Sequence, residues 1–229
     1  ASMLASCLLL ARDESRRKVS SADLAYMTAR DMLIKATTDS DYLYLTIGFF
    51  VCGIQVVFIA THLPTYLQDS GISADIASWA LGLVGLFNIL GSLAAGWLGS
   101  FISKKKLLAW LYLLRSLIIL GFLVLPPSPA TALIFGSAMG LLWLGTIPLT
   151  SGLIVVFFGP AFLSMLYGVA FFSHQIGSFL GAWLGGWIYD RFGSYDMMWW
   201  IIVGSGLFAF FINLLIDESP KDKELAPAE

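Results

Sequence analysis

Long apolar stretches follow one another along the chain and are separated by short polar turns. Five of them cover residues 42–67, 76–102, 107–125, 131–158 and 162–189, and a sixth covers residues 197–216. Each is close to or above the length of about 20 residues that an α-helix needs to cross a bilayer. The pattern therefore predicts an all-α integral membrane protein in which residues 42–216 form a six-transmembrane-helix bundle.

Three further segments flank this bundle. Residues 1–11 are apolar but too short to span, and we interpret them as the end of a truncated transmembrane helix. Residues 12–41 are charged and are predicted to form a cytoplasmic linker. Within it, Ser20 or Ser21 caps a short interfacial helix whose apolar residues, from Ala25 to Ala36, recur at helical spacing; a solvated connector is the alternative. Residues 217–229 are expected to form a cytoplasmic tail.

The charges lie almost entirely outside the apolar stretches. The chain is 58% hydrophobic and 12% charged, well below the charged fraction of about 25% in soluble domains. Of its 13 Lys and Arg residues, all but Arg115 and Arg191 lie on one side of the predicted bundle. The positive-inside rule then places both ends of the six-helix unit on the cytoplasmic side of the membrane. The expected location of the protein is the plasma or inner membrane.

The same composition argues against several classes of protein. Basic residues are few and lie at segment ends, which argues against nucleic-acid binding. Cys7 and Cys52 fall in apolar segments without metal-ligand spacing, so we expect small packing residues, no metal and no cofactor. The expected partners are the lipid bilayer and a small-molecule solute.

Small residues recur at four-residue spacing on two predicted helices. They are Gly177, Gly181 and Gly185 in the fifth stretch and Gly91, Ala95 and Gly99 in the second. Such stripes allow helix backbones to approach closely in a membrane, so each stripe is expected to contact a partner helix.

Polar residues of four predicted helices are expected near the middle of the membrane. Counting 1.5 Å per residue from the start of each span places their side chains roughly 18–20 Å deep. Pro148, with Gly145 and Gly152 nearby, makes the fourth helix easy to deform at the same depth. The predicted substrate-binding residues are Gln55, Asn88, Thr146, Thr150, His174 and Gln175.

Other roles for these residues remain open. Gln55 and Asn88 would also serve as hydrogen-bonding contacts between helices. His174 is either a proton carrier or a neutral packing residue. Arg115 lies within the third stretch, far from Asp69 and Asp75, the only acids between positions 42 and 189. It is expected to meet an anion, bind backbone carbonyls or extend toward the cytoplasm, with a coupling or structural role.

Local motifs resemble those of the Major Facilitator Superfamily. The segment GWLGSFISKKK at residues 96–106 resembles the family's loop motif between helices eight and nine. It keeps Gly96, Leu98 and the basic end with Lys104 and Lys105, whereas Ser100 stands at the usual aspartate. Residues 177–195 resemble the end of helix eleven in the monocarboxylate-transporter-like branch, and residues 61–73 are similar to bacterial members of that branch.

The resemblance implies the C-terminal half of a twelve-helix fold, with the N-terminal half of the same transporter missing from this chain. It implies a secondary active transporter of a small organic anion such as a monocarboxylate, working by alternating access, with proton symport as an option. The stretch 76–102 holds neither the Asp nor the Arg that proton-coupled members place in helix eight. The alternatives are a transport-inactive receptor or assembly subunit and, more remotely, an intramembrane hydrolase using His174 and Ser178.

Overall fold

The computed structural model describes residues 28–221, and this part of the chain is all α-helical. Its eight helices are α1 Ala29–Thr38, α2 Ser40–Asp69, α3 Ala74–Leu98, α4 Lys104–Val124, α5 Pro129–Leu141, α6 Thr146–Phe158, α7 Leu163–Phe192 and α8 Asp196–Leu214. Because α5 and α6 continue one another as a broken rod, the six predicted apolar stretches each correspond to one long rod.

Five of these rods are long and apolar enough to cross a membrane: α2, α3, α4, α8 and the combined rod Pro129–Phe158. The sixth rod, α7, is not among the five. Its 30 residues reach about 45 Å, more than a bilayer core requires. Ser173, His174, Gln175 and Ser178 interrupt its apolar sequence. The sequence nevertheless identifies α7 as a span, because its apolar stretch covers residues 162–189.

Only the last part of the predicted linker lies within the described residues. α1 begins after Thr28, whose hydroxyl oxygen accepts a hydrogen bond from the Asp31 backbone N–H at 3.2 Å. Met32 and Ala36 on this helix are fully buried. The truncated helix at residues 1–11 and the proposed caps Ser20 and Ser21 lie outside the described residues. Thr28 is thus the N-cap that the structure shows.

The rod formed by α5 and α6 breaks earlier than the sequence suggested. We expected a deformable stretch around Pro148 with Gly145 and Gly152 nearby, but the irregular residues are 142–145, which include only Gly145 of these three. Pro148 instead lies in the first turn of α6, where a missing N–H removes no intrahelical hydrogen bond. The proline therefore follows the break and is compatible with the helix that restarts there.

Glycines bring two pairs of helices into backbone contact. A Cβ atom on Gly177 would overlap the Phe50 carbonyl, and one on Gly181 would overlap the Ile54 carbonyl. These contacts join α7 to α2. Gly91 joins α3 to α5 in the same way, because a Cβ there would meet the Leu141 carbonyl. The prediction of close packing by glycine stripes is confirmed at both pairs.

One end of the bundle, which we call the basic end, carries Lys104, Lys105, Lys106 and Lys221. The segment after α8 crosses this end. Asp41 of α2 accepts a hydrogen bond from the Asp217 N–H at 2.8 Å and pairs with Lys221. The Lys221 N–H donates to the Phe157 carbonyl at the end of α6, at 3.0 Å. The segment therefore joins the ends of α2 and α6.

Candidate functional site

A buried polar cluster lies where α2, α4, α6 and α7 meet. We call it the central cluster and define it as Cys52, Gln55, Arg115, Thr146 and His174. Four of its five residues, Cys52, Gln55, Arg115 and Thr146, have no solvent exposure. The cluster brings together three of the six predicted substrate-binding residues and the arginine that lacked a partner in the sequence.

Arg115 of α4 is held by the break between α5 and α6. Its Nη2 donates to the carbonyl oxygens of Leu142 and Trp143, both at 2.6 Å, and its Nε donates to Leu142 at 3.2 Å. Carbonyls at a helix C-terminus lack intrahelical partners and carry the negative end of the helix dipole. Among the expected roles of Arg115, the structure shows the binding of backbone carbonyls.

Gln55 connects the arginine to α8. Its Oε1 accepts a hydrogen bond from Arg115 Nη1 at 3.3 Å. Its Nε2 donates to the Ile202 carbonyl of α8 at 2.9 Å. Both ends of the amide are therefore engaged by protein groups, and the side chain links α2 to α4 and α8.

Asn88 does not join the central cluster, although the sequence placed it at the same depth. It lies on α3, and its Oδ1 accepts a hydrogen bond from the Leu144 N–H at 3.1 Å. Arg115 holds the carbonyls of the two residues just before Leu144. The break in the α5–α6 rod is consequently held from two sides, by a cation and by an amide.

Cys52 occupies a position that the sequence analysis missed. Its thiol lies 3.3 Å from Thr146 Oγ1 and 3.4 Å from Arg115 Nη1, and it also interacts with His174. Cys52 is buried in the core as expected of a small packing residue, but the expectation did not include its polar neighbours. The available signal was its spacing of three from Gln55, which puts both side chains on one helix face. Cys7 lies outside the described residues.

His174 sits at the edge of the central cluster with 8% of its surface exposed. Its Nδ1 lies 3.1 Å from Gln175 Oε1 and 3.3 Å from Ser178 Oγ, both on α7. Its ring stacks on Phe171 with centroids 5.7 Å apart. Gln175 itself is exposed, so this pair extends from the cluster to the surface of the described bundle.

Other residues named in the sequence analysis lie on α3 and α6. Thr150 is buried one turn after Thr146 on α6. Gly96 packs near Pro148, which lies 3.6 Å from the position a Cβ would take. Leu98 ends α3. Within the described residues, no group of three or more His, Cys, Asp or Glu side chains is arranged to hold a metal ion.

The loop motif at the basic end contacts a carboxylate from the segment after α8. Glu218 accepts hydrogen bonds from the backbone N–H groups of Lys104 at 3.0 Å and Lys105 at 3.3 Å. It also accepts from Ser103 Oγ at 2.5 Å. Ser100 replaces the aspartate typical of the motif, and Glu218 supplies an acid to the same lysines.

Comparison with known proteins identifies the class. The family model of the Major Facilitator Superfamily matches residues 45–229. The chain therefore belongs to this superfamily of membrane transporters, and to its monocarboxylate-transporter-like branch.

Individual relatives support this assignment. The chain is 32% identical to the uncharacterized MFS-type transporter YcxA of Bacillus subtilis over 156 residues, which cover 66% of this chain and 38% of that protein. It is 25% identical to monocarboxylate transporter 12 of Xenopus laevis over 221 residues, or 92% of this chain and 44% of that protein. The matched part thus covers about two fifths of the length of these relatives.

Proposed function

We propose that this chain forms part of a secondary active transporter that moves a small organic anion, such as a monocarboxylate, by alternating access. The observation that carries the proposal is Arg115, a fully buried cation. No carboxylate accompanies it within the described helices at its depth, since Asp69 and Asp75 lie near a turn. A membrane interior with one fixed positive charge favours a negatively charged solute. Relatives named monocarboxylate transporter 12 support the same solute class.

In this proposal Arg115 sets the charge of the site and His174 and Gln175 contact the solute. The guanidinium is already occupied by carbonyls and by Gln55. Gln175 is exposed and its neighbour His174 lies at the edge of the cluster. Asn88, Thr146 and Thr150 then position the α5–α6 break beside the solute. The other half of the site comes from an N-terminal half of the same transporter.

We further propose that the basic end faces the cytoplasm of a plasma or inner membrane. The lysines at this end and the positive-inside rule support this orientation. The turns after α2, α4 and α7 then face outward.

Proton coupling is assigned to His174 in this proposal. The test is uptake of radiolabelled monocarboxylates into proteoliposomes that contain the full-length protein, with and without an inward proton gradient. We expect the gradient to stimulate uptake by the wild type and to have no effect on His174→Ala, while solute exchange without a gradient continues. His62→Gln serves as the control, because His62 bonds the Ala182 carbonyl at 2.9 Å and lies outside the cluster.

The outcomes separate the competing functions. Full gradient dependence in His174→Ala would exclude the histidine as the proton carrier. Absence of flux for every carboxylate, in a wild-type protein that is folded, would favour the transport-inactive receptor or assembly subunit.

A further inference from the structure

An apolar groove runs along the outside of the bundle between α3, α4 and the α5–α6 rod. Its volume is about 260 Å³. The lining residues are Gly91, Ala94, Ala95, Leu98, Leu107, Trp110, Leu111, Leu114, Leu141, Leu142 and Leu149. None of them carries a charged side chain, so the groove offers a ligand contact with hydrocarbon and little else.

The groove begins at the basic end and reaches toward the middle of the membrane. Leu98 is the last residue of α3 and Leu107 lies in the first turn of α4, so both mark its mouth. Leu114 lies two turns deeper, about 12 Å from the level of Lys106 at 1.5 Å per residue. This depth is comparable to one leaflet of a hydrocarbon core that is about 30 Å thick.

Lys106 lies next to the mouth of the groove, on the same face of α4 as two of the lining residues. Lys106, Trp110 and Leu114 are spaced by four residues and therefore follow one another along one helix face. Trp110 and Leu114 line the groove, and Lys106 is exposed one turn above Trp110.

The neighbouring lysines are engaged elsewhere. Lys104 pairs with Glu218 at 3.8 Å, and Lys105 Nζ donates to the Ile216 carbonyl. The Lys106 side chain makes no hydrogen bond or ion pair with any residue from 28 to 221. The exposed ammonium group of Lys106 therefore keeps its positive charge without a paired carboxylate among the described residues, and it is complementary to an anionic headgroup.

We propose that this groove binds one anionic phospholipid. One acyl chain occupies the groove, and the phosphate lies at Lys106. The groove is open to the outside and smaller than the cavities of about 300–1,000 Å³ that hold drug-sized ligands, so it holds part of one hydrocarbon chain. Trp110, with 55% of its surface exposed at the rim, lies where aromatic side chains meet headgroups. The end of the acyl chain contacts Leu142, whose carbonyl Arg115 binds.

The binding is tested by native mass spectrometry of the full-length protein, delipidated and titrated with phosphatidylglycerol or with phosphatidylcholine of the same acyl chains. We expect one phosphatidylglycerol molecule to be retained in preference to phosphatidylcholine. Lys106→Gln should weaken its retention roughly fivefold, the effect of one lysine near a headgroup. Arg30→Gln, on the exposed surface of α1, is the charge control and should leave retention unchanged.

A second pair of variants tests the acyl-chain site. Ala94→Phe fills the groove with an apolar ring and should abolish the retained lipid. Leu93→Phe adds a ring at the neighbouring position, which is 67% exposed and does not line the groove, and should leave retention unchanged. Equal retention of both lipids by the wild type, or equal behaviour of these two variants, would overturn the proposal.

A photoreactive benzophenone side chain in place of Trp110 identifies the occupant directly. Cross-linking to phospholipid in membranes supports the proposal. Cross-linking to polypeptide, either another part of the same protein or a second copy, would show that protein covers the groove and would refute lipid binding there. Neither lipid retention nor cross-linking depends on transport, so the proposed function can be wrong while the lipid site is correct.

Discussion

The protein buries positive charge in two regions and stabilises it differently in each. At the middle of the bundle, Arg115 meets only neutral acceptors, namely two backbone carbonyls, Gln55 and the Cys52 thiol. At the basic end, Lys104 and Lys221 meet the carboxylates Glu218 and Asp41. The kind of acceptor differs because the two regions lie at different depths in the membrane. A carboxylate near the bilayer centre would itself be costly, whereas a broken helix supplies carbonyls without adding a second charge.

The surroundings of the two regions differ as well. Arg115 is fully buried. The side chains of Lys104 and Glu218 are 26% and 18% exposed, and those of Lys221 and Asp41 are 15% and 11% exposed. Water and salt reach the basic end and weaken its ion pairs. The central interactions should therefore contribute more to stability, although they contain fewer charges.

The largest effect is expected from Arg115→Met. The substitution keeps an apolar stem but leaves the carbonyls of Leu142 and Trp143 and the Gln55 amide oxygen without their donor. Each buried acceptor without a partner costs about 1–3 kcal/mol. We expect the free energy of unfolding to fall by about 3–5 kcal/mol, measured by denaturant unfolding of the full-length protein in detergent.

Arg115→Lys is the matched variant for this experiment. It keeps the charge but loses the planar fork that reaches two carbonyls and Gln55 together. Its free energy of unfolding should fall by about half as much as that of Arg115→Met. If the lysine variant is as stable as the wild type, the charge of Arg115 rather than the geometry of its guanidinium group stabilises the break.

A smaller effect is expected from Asp41→Asn at the basic end. The asparagine oxygen can still accept the Asp217 N–H, so the substitution removes mainly the charge that faces Lys221. The expected loss of stability is about 1 kcal/mol, as for a partly exposed ion pair. Asp75→Asn is the control, because Asp75 also lies in a first helical turn but makes no ion pair with a described residue.

The pH dependence of the Asp41–Lys221 pair follows from the lysine. Burial lowers the pKa of Lys221, but the hydrogen bond to Asp41 and nearby carboxylates raise it more, so the pKa lies above its ordinary value of 10.5. A raised lysine pKa stabilises the fold below that ordinary value, and the gain is lost as the pH rises through the raised pKa. The stability difference between wild type and Asp41→Asn should therefore stay constant from about pH 6 to about pH 9.

The smallest effect is expected from Glu218→Gln. The glutamine oxygen can replace one acceptor at the start of α4, and the lost ion pair with Lys104 is long, at 3.8 Å. We expect a loss of about 0.5 kcal/mol that disappears in 1 M salt, where the screening length is about 3 Å. A loss that persists in salt would mean that the hydrogen bonds of Glu218, rather than its charge, stabilise this end.

The sequence predicted the helices and their close contacts well, because those depend on local patterns. Apolar length located the six rods, and glycine spacing identified the faces of α7 and α3 that touch their partners. It placed the break around Pro148 because proline is the usual signal, whereas of the irregular residues only Gly145 carries a turn signal and Leu142, Trp143 and Leu144 carry none. The break is stabilised by Arg115 and Asn88, which come from other helices.

The composition of the central cluster was harder to predict, for a different reason. The depth of a residue in the membrane can be counted along its helix in the sequence. The rotation of one helix about its axis relative to another helix cannot be obtained in this way. Asn88 was given the same depth as Gln55, yet it faces Leu144 while Gln55 faces Arg115 and Ile202. Cys52 was read as apolar because a thiol gives no polar signal until a cation and a hydroxyl lie beside it.

The pairing of Arg115 with the broken rod also bears on how the protein is made. The carbonyls that accept its hydrogen bonds belong to residues 27 and 28 positions later in the chain. When α4 leaves the ribosome and meets the translocon, its arginine lacks these carbonyls and has only Gln55 and Cys52 of the earlier helix α2 as partners. Its insertion therefore remains costly, by up to about 2.5–3.5 kcal/mol. α5 must be synthesised before this cost is offset. We therefore expect α4 and the rod that follows it to enter the membrane as one hairpin rather than one after the other.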